Sequence, residues 1–168
     1  IRRTEQRFPH LKGTFSTGYG STESGGLISF ASNAMLNLAA DCVGPPLPTV
    51  EVRIVDDAGN PLPDGEEGNI CARSPLVMKE YWRHPEATRE TLLPGRWVKT
   101  GDFGRIEHGV LFIASRKRDL ILRGGENVYP AEVENALMKH PAVADVAVIG
   151  VPSERWGEEV KAIVVKAE

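Results

Sequence analysis

The sequence predicts an α+β fold in which a β-meander precedes a smaller unit of β-α-β-β order. Apolar and charged residues alternate along the run 50–54, as expected for a strand with one buried face. The pattern changes near residues 116–119, after which a helical segment lies among strand-like segments. We therefore expect two units with a boundary at this change.

The elements of the meander follow in order along the chain. Residues 11–26 indicate a short strand that enters a loop rich in Gly, Ser and Thr, and residues 27–42 give no clear assignment. The strand at 50–54 leads through a turn at 57–60 to a second strand at 68–73, because Asp, Gly and Asn favour reversal of the chain.

Both predicted helices lie in the second half of the chain. A Pro near the start and a Gly after the end indicate a short helix within residues 84–95. Alternation then resumes over 96–123, interrupted by a turn at His108 and Gly109. The smaller unit ends with a helix and two strands, at 130–141, 143–151 and 158–167.

Composition and charge narrow the class of protein. The net charge of −3 argues against a nucleic-acid binder, which is normally basic. No apolar run is long enough to span a bilayer, and no leader resembles a signal peptide. Cys42 and Cys71 lack metal-ligand spacing, which is typical of reduced thiols in a cytoplasmic protein. Because the chain starts at Ile1 and stops at Glu168 just after an apolar run, we expect both ends to be cut from a longer protein.

The stretch "GYGSTESGG" (residues 18–26) is the first candidate for chemistry. By itself it is also typical of a surface turn. As a nucleotide site, its glycines would admit close backbone approach and its hydroxyls would bind phosphate oxygens. Glu23 could hold Mg²⁺, and Tyr19 offers a flat face to a base.

Three further stretches are likewise open to a structural and to a functional interpretation. In "KTGDFGRI", Asp102 either caps a turn or accepts both hydroxyls of a ribose. The cations in "SRKRD" are as typical of a solvated face as of a phosphate site. The glycines of "RGGEN", Gly124 and Gly125, could belong to a phosphate loop, a plain turn or a hinge.

Together, "YGSTE", "TGDFGRI", "SRKRDLILRGGENVYPAEVE" and "GVPSERWGEEVKAIVV" resemble the C-terminal half of an AMP-forming acyl-CoA synthetase. That superfamily contains acyl-CoA ligases, adenylation domains and beetle luciferases, and the resemblance covers nearly the whole chain. It implies that residues 1–115 are the end of the large adenylate-forming domain, including a barrel-like β-meander or distorted β-barrel. Residues 116–120 would be a hinge, and 121–168 an incomplete small C-terminal domain of mixed α/β type.

The resemblance also implies a role for individual residues. Thr22 and Glu23 would be catalytic, with Thr22 at the α-phosphate and Glu23 on Mg²⁺. Arg118 would be the pivot of the small domain, which rotates between the two half-reactions. The implied nucleotide-binding residues are Gly18, Tyr19, Gly20, Ser21, Thr22, Asp102 and Arg116. The implied lining of the coenzyme A channel is Gly124, Gly125, Glu126, Asn127 and Trp156.

The implied activity is that of an acid:CoA ligase, with ATP/AMP, Mg²⁺ and coenzyme A as cofactors and a small carboxylic acid as partner. "RGGENVYPAEVE" resembles acyl- and aryl-CoA ligases more than amino-acid adenylation domains. A carrier-protein thiol as acceptor and a non-catalytic nucleotide-binding or interaction module stay open. The family's upstream phosphate loop and downstream lysine are not in this sequence, so we expect the 168 residues to be inactive by themselves. The acid and the oligomeric state are not indicated.

Overall fold

The computed structural model describes residues 2–36, 39, 41–116 and 119–167. The chain divides into two compact units, residues 1–113 and 114–168. The first unit contains α1 (Arg2–Arg7), a 3₁₀ turn (Pro9–Leu11), β1 (Thr17–Ser21), β2 (Gly26–Ala31), α2 (Asn33–Leu36), β3 (Cys42–Gly44), β4 (Glu51–Val55), β5 (Gly68–Arg73), α3 (Pro85–Thr91), β6 (Leu92–Leu93), β7 (Trp97–Glu107) and the start of β8 (Val110–Arg116). The second contains β9 (Ile121–Arg123), β10 (Glu126–Val128), α4 (Pro130–Leu137), β11 (Val143–Ser153) and β12 (Gly157–Lys166).

The first unit is built on a six-stranded sheet in the order β3-β8-β7-β5-β4, with β6 paired to β7. The strand β4 pairs antiparallel with β5, so that Ile54 lies opposite Ile70. The strands β1 and β2 form a separate antiparallel hairpin, which the backbone bond from Leu47 N–H to the Ile28 carbonyl ties to the segment before β4. The described strands form open sheets and do not close into a barrel.

One face of the six-stranded sheet forms the core of this unit. Ile28 from β2 packs there with Ile54, Ile70, Val98 and Leu111, and all five side chains are buried. Burial of an Ile, Leu or Val side chain stabilises a fold by about 1.5–3 kcal/mol, so this face supplies much of the driving force. The alternation along 50–54 is therefore the signature of a strand with its apolar side on this core.

The opposite face of β4, β5 and β7 carries polar residues around Trp97. The guanidinium groups of Arg53 and Arg73 lie over the Trp97 ring, at 4.2 and 4.8 Å from its centre. Arg73 also forms an ion pair with Glu51, with Nη2 and Oε2 2.6 Å apart. Cys71 is buried on this sheet, and neither it nor Cys42 forms a disulfide.

The second unit is a four-stranded sheet in the order β10-β9-β12-β11, with α4 packed against β11. The strands β11 and β12 form a long antiparallel hairpin, and β12 meets β9 where Gly157 lies opposite Arg123. The Val148 N–H donates to Glu134 Oε1 of α4 at 2.8 Å, which ties the helix to the sheet. Ile121 and Val148 are buried in this unit.

The α+β class predicted from the sequence is confirmed, and several boundaries differ. The helix expected at 84–95 ends at Thr91, because Leu92 and Leu93 pair with Val98 and Trp97 as a short strand. The helix expected from Pro130 to Pro141 ends at Leu137. Residues 27–42, which the sequence left unassigned, contain most of β2, all of α2 and the first residue of β3. Among the described helices, none has the length and apolar character needed to cross a membrane.

Candidate functional site

The turn 22–25, between β1 and β2, is held by two serines that bond to each other. The Ser21 N–H donates to Ser24 Oγ at 3.0 Å, and the Ser24 N–H donates to Ser21 Oγ at 3.1 Å. The Gly25 N–H closes the turn by donating to the Thr22 carbonyl at 3.1 Å. Thr22 is exposed at the tip, whereas Ser24 is buried. Ser21, predicted to bind the nucleotide, therefore has a structural task within the loop.

A segment distant in sequence braces this turn from outside. The Met78 N–H donates to the Glu23 carbonyl at 2.9 Å, and the Ser74 hydroxyl lies 3.4 Å from the Ser24 carbonyl. Gly25 has φ +78°, and a Cβ at this position would collide with the Leu76 carbonyl. Only glycine fits both the backbone conformation and this close approach. We call residues 74–81 the brace.

The brace also reaches the side chain of Glu23. The Tyr81 hydroxyl donates to Glu23 Oε1 at 2.7 Å. This bond is the main cause that lowers the pKa of Glu23 below its ordinary value, with a contribution from the residue's own backbone N–H. Burial and the bond to Glu23 raise the pKa of Tyr81. At neutral pH the pair therefore consists of a carboxylate and a protonated phenol.

Tyr19 and Asp102, both predicted to bind the nucleotide, meet in the structure. The Tyr19 hydroxyl donates to Asp102 Oδ2 at 2.7 Å, and both residues are half-buried. Tyr19 comes from β1 and Asp102 from β7, so the contact joins the hairpin to the six-stranded sheet. The sheet thus places an aromatic ring beside a carboxylate, a few residues along β1 from the turn that holds Glu23.

An irregularity of β7 directs Asp102. Asn69 lies opposite Phe103 and Cys71 opposite Lys99, so β7 has extra residues between these two pairs. Gly101, at φ +80°, lies in this bulge, and the Thr100 hydroxyl donates to the Ile70 carbonyl at 3.0 Å. Bulges of this kind reorient a side chain next to a site. The Thr100 hydroxyl satisfies a carbonyl on the neighbouring strand, and so the sheet tolerates the irregularity.

Gly18 and Gly20, both predicted to border the nucleotide, are packed against β2. A Cβ on Gly18 would lie 2.6 Å from Leu27 Cδ2, and one on Gly20 would collide with the Gly26 carbonyl of β2. The register of β1 against β2 also shifts between Tyr19 and Gly20. The hairpin itself therefore requires glycine at position 20, whatever binds nearby.

Glu23 is the only carboxylate that the sequence analysis assigns to a metal. The described residues contain no group of three or more His, Cys, Asp or Glu side chains able to enclose a metal ion. Mg²⁺ commonly uses one or two carboxylates together with substrate phosphates and water. An ionised Glu23 at an exposed turn fits that pattern, provided that a nucleotide supplies the phosphates.

In the second unit, Gly124 lies directly against Trp156. The Gly124 N–H donates to the Trp156 carbonyl at 2.8 Å, and a Cβ on Gly124 would lie 2.8 Å from Trp156 Cε3. The guanidinium groups of Arg123 and Arg155 lie over the indole ring, at 4.7 and 4.6 Å from its centre. Two of the residues predicted to line the coenzyme A channel are therefore in contact.

Four of the remaining predicted residues lie at exposed positions. Gly125 has φ +92° and no atom within 4 Å of the place a Cβ would take. Glu126 and Asn127 are exposed on β10, opposite Arg123 and Leu122. Arg116 is exposed at the end of β8. The predicted hinge residue Arg118 lies outside the described residues.

Sequence reasoning missed Tyr81. This residue is 58 positions from Glu23, and no local pattern links the two. The sequence motifs contain the carboxylate and not the phenol that donates to it.

Two family models match the chain. The model of the AMP-binding enzyme matches residues 1–82, and that of the AMP-binding enzyme C-terminal domain matches residues 132–168. The chain belongs to the AMP-binding enzyme family. Its two compact units correspond in order to these two matches.

Individual relatives agree with the family. The fatty acid–acyl-carrier-protein ligase ScoC of Streptomyces coeruleorubidus is 43% identical over 97% of this chain and 32% of its own length. A long-chain-fatty-acid–CoA ligase of Escherichia coli O6:H1 is 42% identical over 97% of this chain and 29% of its own length. The chain thus spans about a third of the length of the curated relatives it matches.

A solved structure shows the same fold. ATP-bound MatB from Rhodopseudomonas palustris superimposes with a TM-score of 0.87 at 36% identity, over 99% of this chain and 33% of that one.

Proposed function

We propose that this chain is part of an ATP-dependent, AMP-forming acid–thiol ligase. In the first half-reaction a carboxylate oxygen attacks the α-phosphorus of ATP, which forms an acyl-adenylate and releases pyrophosphate. In the second, the sulfur of coenzyme A attacks the acyl carbon, and AMP leaves with the electrons of the broken C–O bond. The mixed anhydride is needed because a free carboxylate is a poor electrophile.

The contact between Tyr19 and Asp102 carries the proposal. It brings together residues from two separate motifs, one suited to stack on a base and one suited to accept ribose hydroxyls. A purely structural turn at either motif would not need the other. The MatB structure, which is described as ATP-bound, supports a nucleotide at this fold.

The first unit would bind the nucleotide and stabilise the negative charge of its phosphates. Tyr19 would stack on adenine and Asp102 would bind the ribose diol, with Gly18, Gly20 and Ser21 shaping the loop around them. Thr22, exposed at the tip of the turn, would contact the α-phosphate. Glu23 would hold Mg²⁺, which neutralises phosphate charge as the α-phosphorus is attacked. These groups act by positioning and electrostatic stabilisation.

The second unit would serve the thiol. The exposed Gly125 leaves space at the tip of its turn, and Gly124 is held against Trp156. Glu126, Asn127 and Trp156 would line the approach of the pantetheine chain. Arg118 would be the hinge between half-reactions, and Arg116 would support the nucleotide, both by the match to the family's motifs.

The acceptor is the point on which the relatives differ. ScoC is named as a ligase for an acyl carrier protein and the Escherichia coli relative as a CoA ligase. We favour coenzyme A because "RGGENVYPAEVE" resembles the CoA ligases. A carrier-protein thiol is the second candidate, and the ScoC similarity supports it. The acid would be a small-molecule carboxylic acid such as a fatty or aromatic one, and the site of action the cytoplasm.

The test is AMP release by the complete protein that carries this chain. It would be incubated with ATP, Mg²⁺ and a panel of acids, with coenzyme A, with an acyl carrier protein, or with neither. We expect acid-dependent AMP release that rises with coenzyme A, and a thioester product detected by mass spectrometry. A rise only with the carrier protein would support the second candidate.

A matched pair of variants tests the nucleotide site itself. Asp102→Asn should weaken AMP binding by roughly tenfold or more, because a hydrogen bond to a charged group is lost. Asp145→Asn makes the same change at an exposed position of the second unit, and AMP affinity should be unchanged. Equal AMP affinities for wild type and Asp102→Asn in titration calorimetry would contradict the assignment of Asp102.

A further inference from the structure

We infer that Tyr81 is a positioning residue for the Glu23 carboxylate, fixing its direction toward a divalent cation that accompanies the nucleotide phosphates. The inference rests on the proposed function for the cation, and on the contacts of the brace for the geometry. It adds to the site a residue that none of the motifs contains.

The direct contact is the 2.7 Å bond from the Tyr81 hydroxyl to Glu23 Oε1. The terminal torsion of a glutamate side chain is broad, so an unsupported carboxylate rotates over a wide range. A donor fixed on one oxygen removes this freedom and sets the plane in which the lone pairs lie. Mutation of a partner that orients a metal ligand in this way typically weakens metal binding by about 10–100-fold.

The brace holds both ends of Glu23. The Met78 N–H donates to the Glu23 carbonyl at 2.9 Å, three residues before Tyr81 reaches the carboxylate. The same short segment therefore holds both the backbone and the side chain of Glu23. Gly25 packs on Leu76 of that segment, which fixes the position of the turn relative to the brace.

Tyr81 is itself fixed by α3. Its backbone N–H donates to Thr88 Oγ1 at 2.9 Å, and the Thr88 hydroxyl lies 2.9 Å from the His84 carbonyl. The helix thus anchors the backbone of Tyr81, from which the ring reaches the Glu23 carboxylate.

The experiment compares wild type with Tyr81→Phe, which keeps the ring and removes the hydroxyl. The first measurement is the pKa of Glu23, from the pH dependence of its carboxyl ¹³C shift in protein labelled at Glu Cδ. We expect the pKa to rise toward the ordinary value in the variant. Glu23→Gln identifies the resonance by its absence.

The second measurement is Mn²⁺ affinity by electron paramagnetic resonance, in the presence of a non-hydrolysable ATP analogue. Tyr81→Phe should weaken Mn²⁺ binding by about tenfold, while metal-free AMP binding stays at the wild-type affinity. In the Glu23→Gln background, Tyr81→Phe should cause no further loss, because the acceptor of the hydrogen bond is already altered.

Trp82→Phe is the matched control, since it changes the neighbouring aromatic residue, which is 75% exposed. It should leave both measurements at their wild-type values. An unchanged Glu23 pKa or an unchanged Mn²⁺ affinity in Tyr81→Phe would overturn the inference. If wild type failed to bind AMP, the proposed function would be contradicted, whereas an unchanged Mn²⁺ affinity in Tyr81→Phe with AMP binding intact would overturn the role of Tyr81 alone.

Discussion

Two glycine-containing turns of this chain, 22–25 in the first unit and 124–125 in the second, are held in different ways. The first is cross-braced by hydrogen bonds from residues about fifty positions away and by a glycine packed on a backbone carbonyl. The second joins the paired strands β9 and β10, and beyond that pairing it is held by the backbone bond between Gly124 and Trp156 and by the Trp156 ring.

The difference matches the work proposed for each turn. A group that stabilises developing charge must be held in one position, because reorganisation during the reaction costs energy. A channel for a thin, thiol-tipped chain needs room more than rigidity, and the space beside Gly125 provides it. The comparison leads to three predictions, from the largest effect to the smallest.

Gly25→Ala should be the most damaging change. Alanine is strained at φ +78°, and its Cβ would collide with the Leu76 carbonyl. We expect the free energy of unfolding of the first unit to fall by about 3 kcal/mol, since backbone strain and overlap add. Urea denaturation followed by circular dichroism measures the loss.

Gly125→Ala is the matched control for that change. The backbone is again in the left-handed region, at φ +92°, but no atom lies within 4 Å of the new Cβ. The second unit should lose about 1–2 kcal/mol, the backbone term alone. Equal losses at positions 25 and 125 would show that the Leu76 contact contributes nothing.

Local sequence patterns predict some elements of this chain and miss others, which depend on contacts between distant residues. Alternation is local, so the strands at 50–54 and 68–73 were predicted close to their observed bounds. Leu92 and Leu93 continue a helical pattern, and only their pairing with β7 makes them a strand. The resemblance grouped Tyr19 with Asp102, whereas the brace around Gly25 depends on contacts that no local pattern encodes.

Trp156→Ala tests how the second turn is held. Removal of the ring takes away the surface that packs on Gly124 and two cation–π contacts, with Arg123 and Arg155. We expect the second unit to lose about 1–2 kcal/mol, because such contacts contribute about 0.5–1 kcal/mol each at accessible sites.

Trp82→Ala provides the comparison for Trp156, since its ring is 75% exposed. Its effect on the free energy of unfolding should stay within about 0.5 kcal/mol. The same urea titration serves for both, and a loss in Trp82→Ala as large as that in Trp156→Ala would argue against a structural role for the indole at the second turn.

The smallest effect is the pH dependence of the Tyr81–Glu23 bond. The lowered pKa of Glu23 gives stability that is present above about pH 4.3 and lost as pH falls through the folded-state value. The raised pKa of Tyr81 gives stability that is present below about pH 10 and lost as pH rises through its folded-state value. The stability difference between wild type and Tyr81→Phe should therefore be flat near neutrality and shrink on both sides. A difference that grows toward acid would contradict the assigned donor and acceptor.

Each unit also has its own optical reporter. Trp97 lies under two guanidinium groups in the first unit and Trp156 under two others in the second, while Trp82 is mostly exposed. In a Trp82→Phe background, the intrinsic fluorescence would come from one indole in each unit. Indole emission shifts to longer wavelength on exposure to water, so the melting of the two units could be followed in one cuvette without a dye.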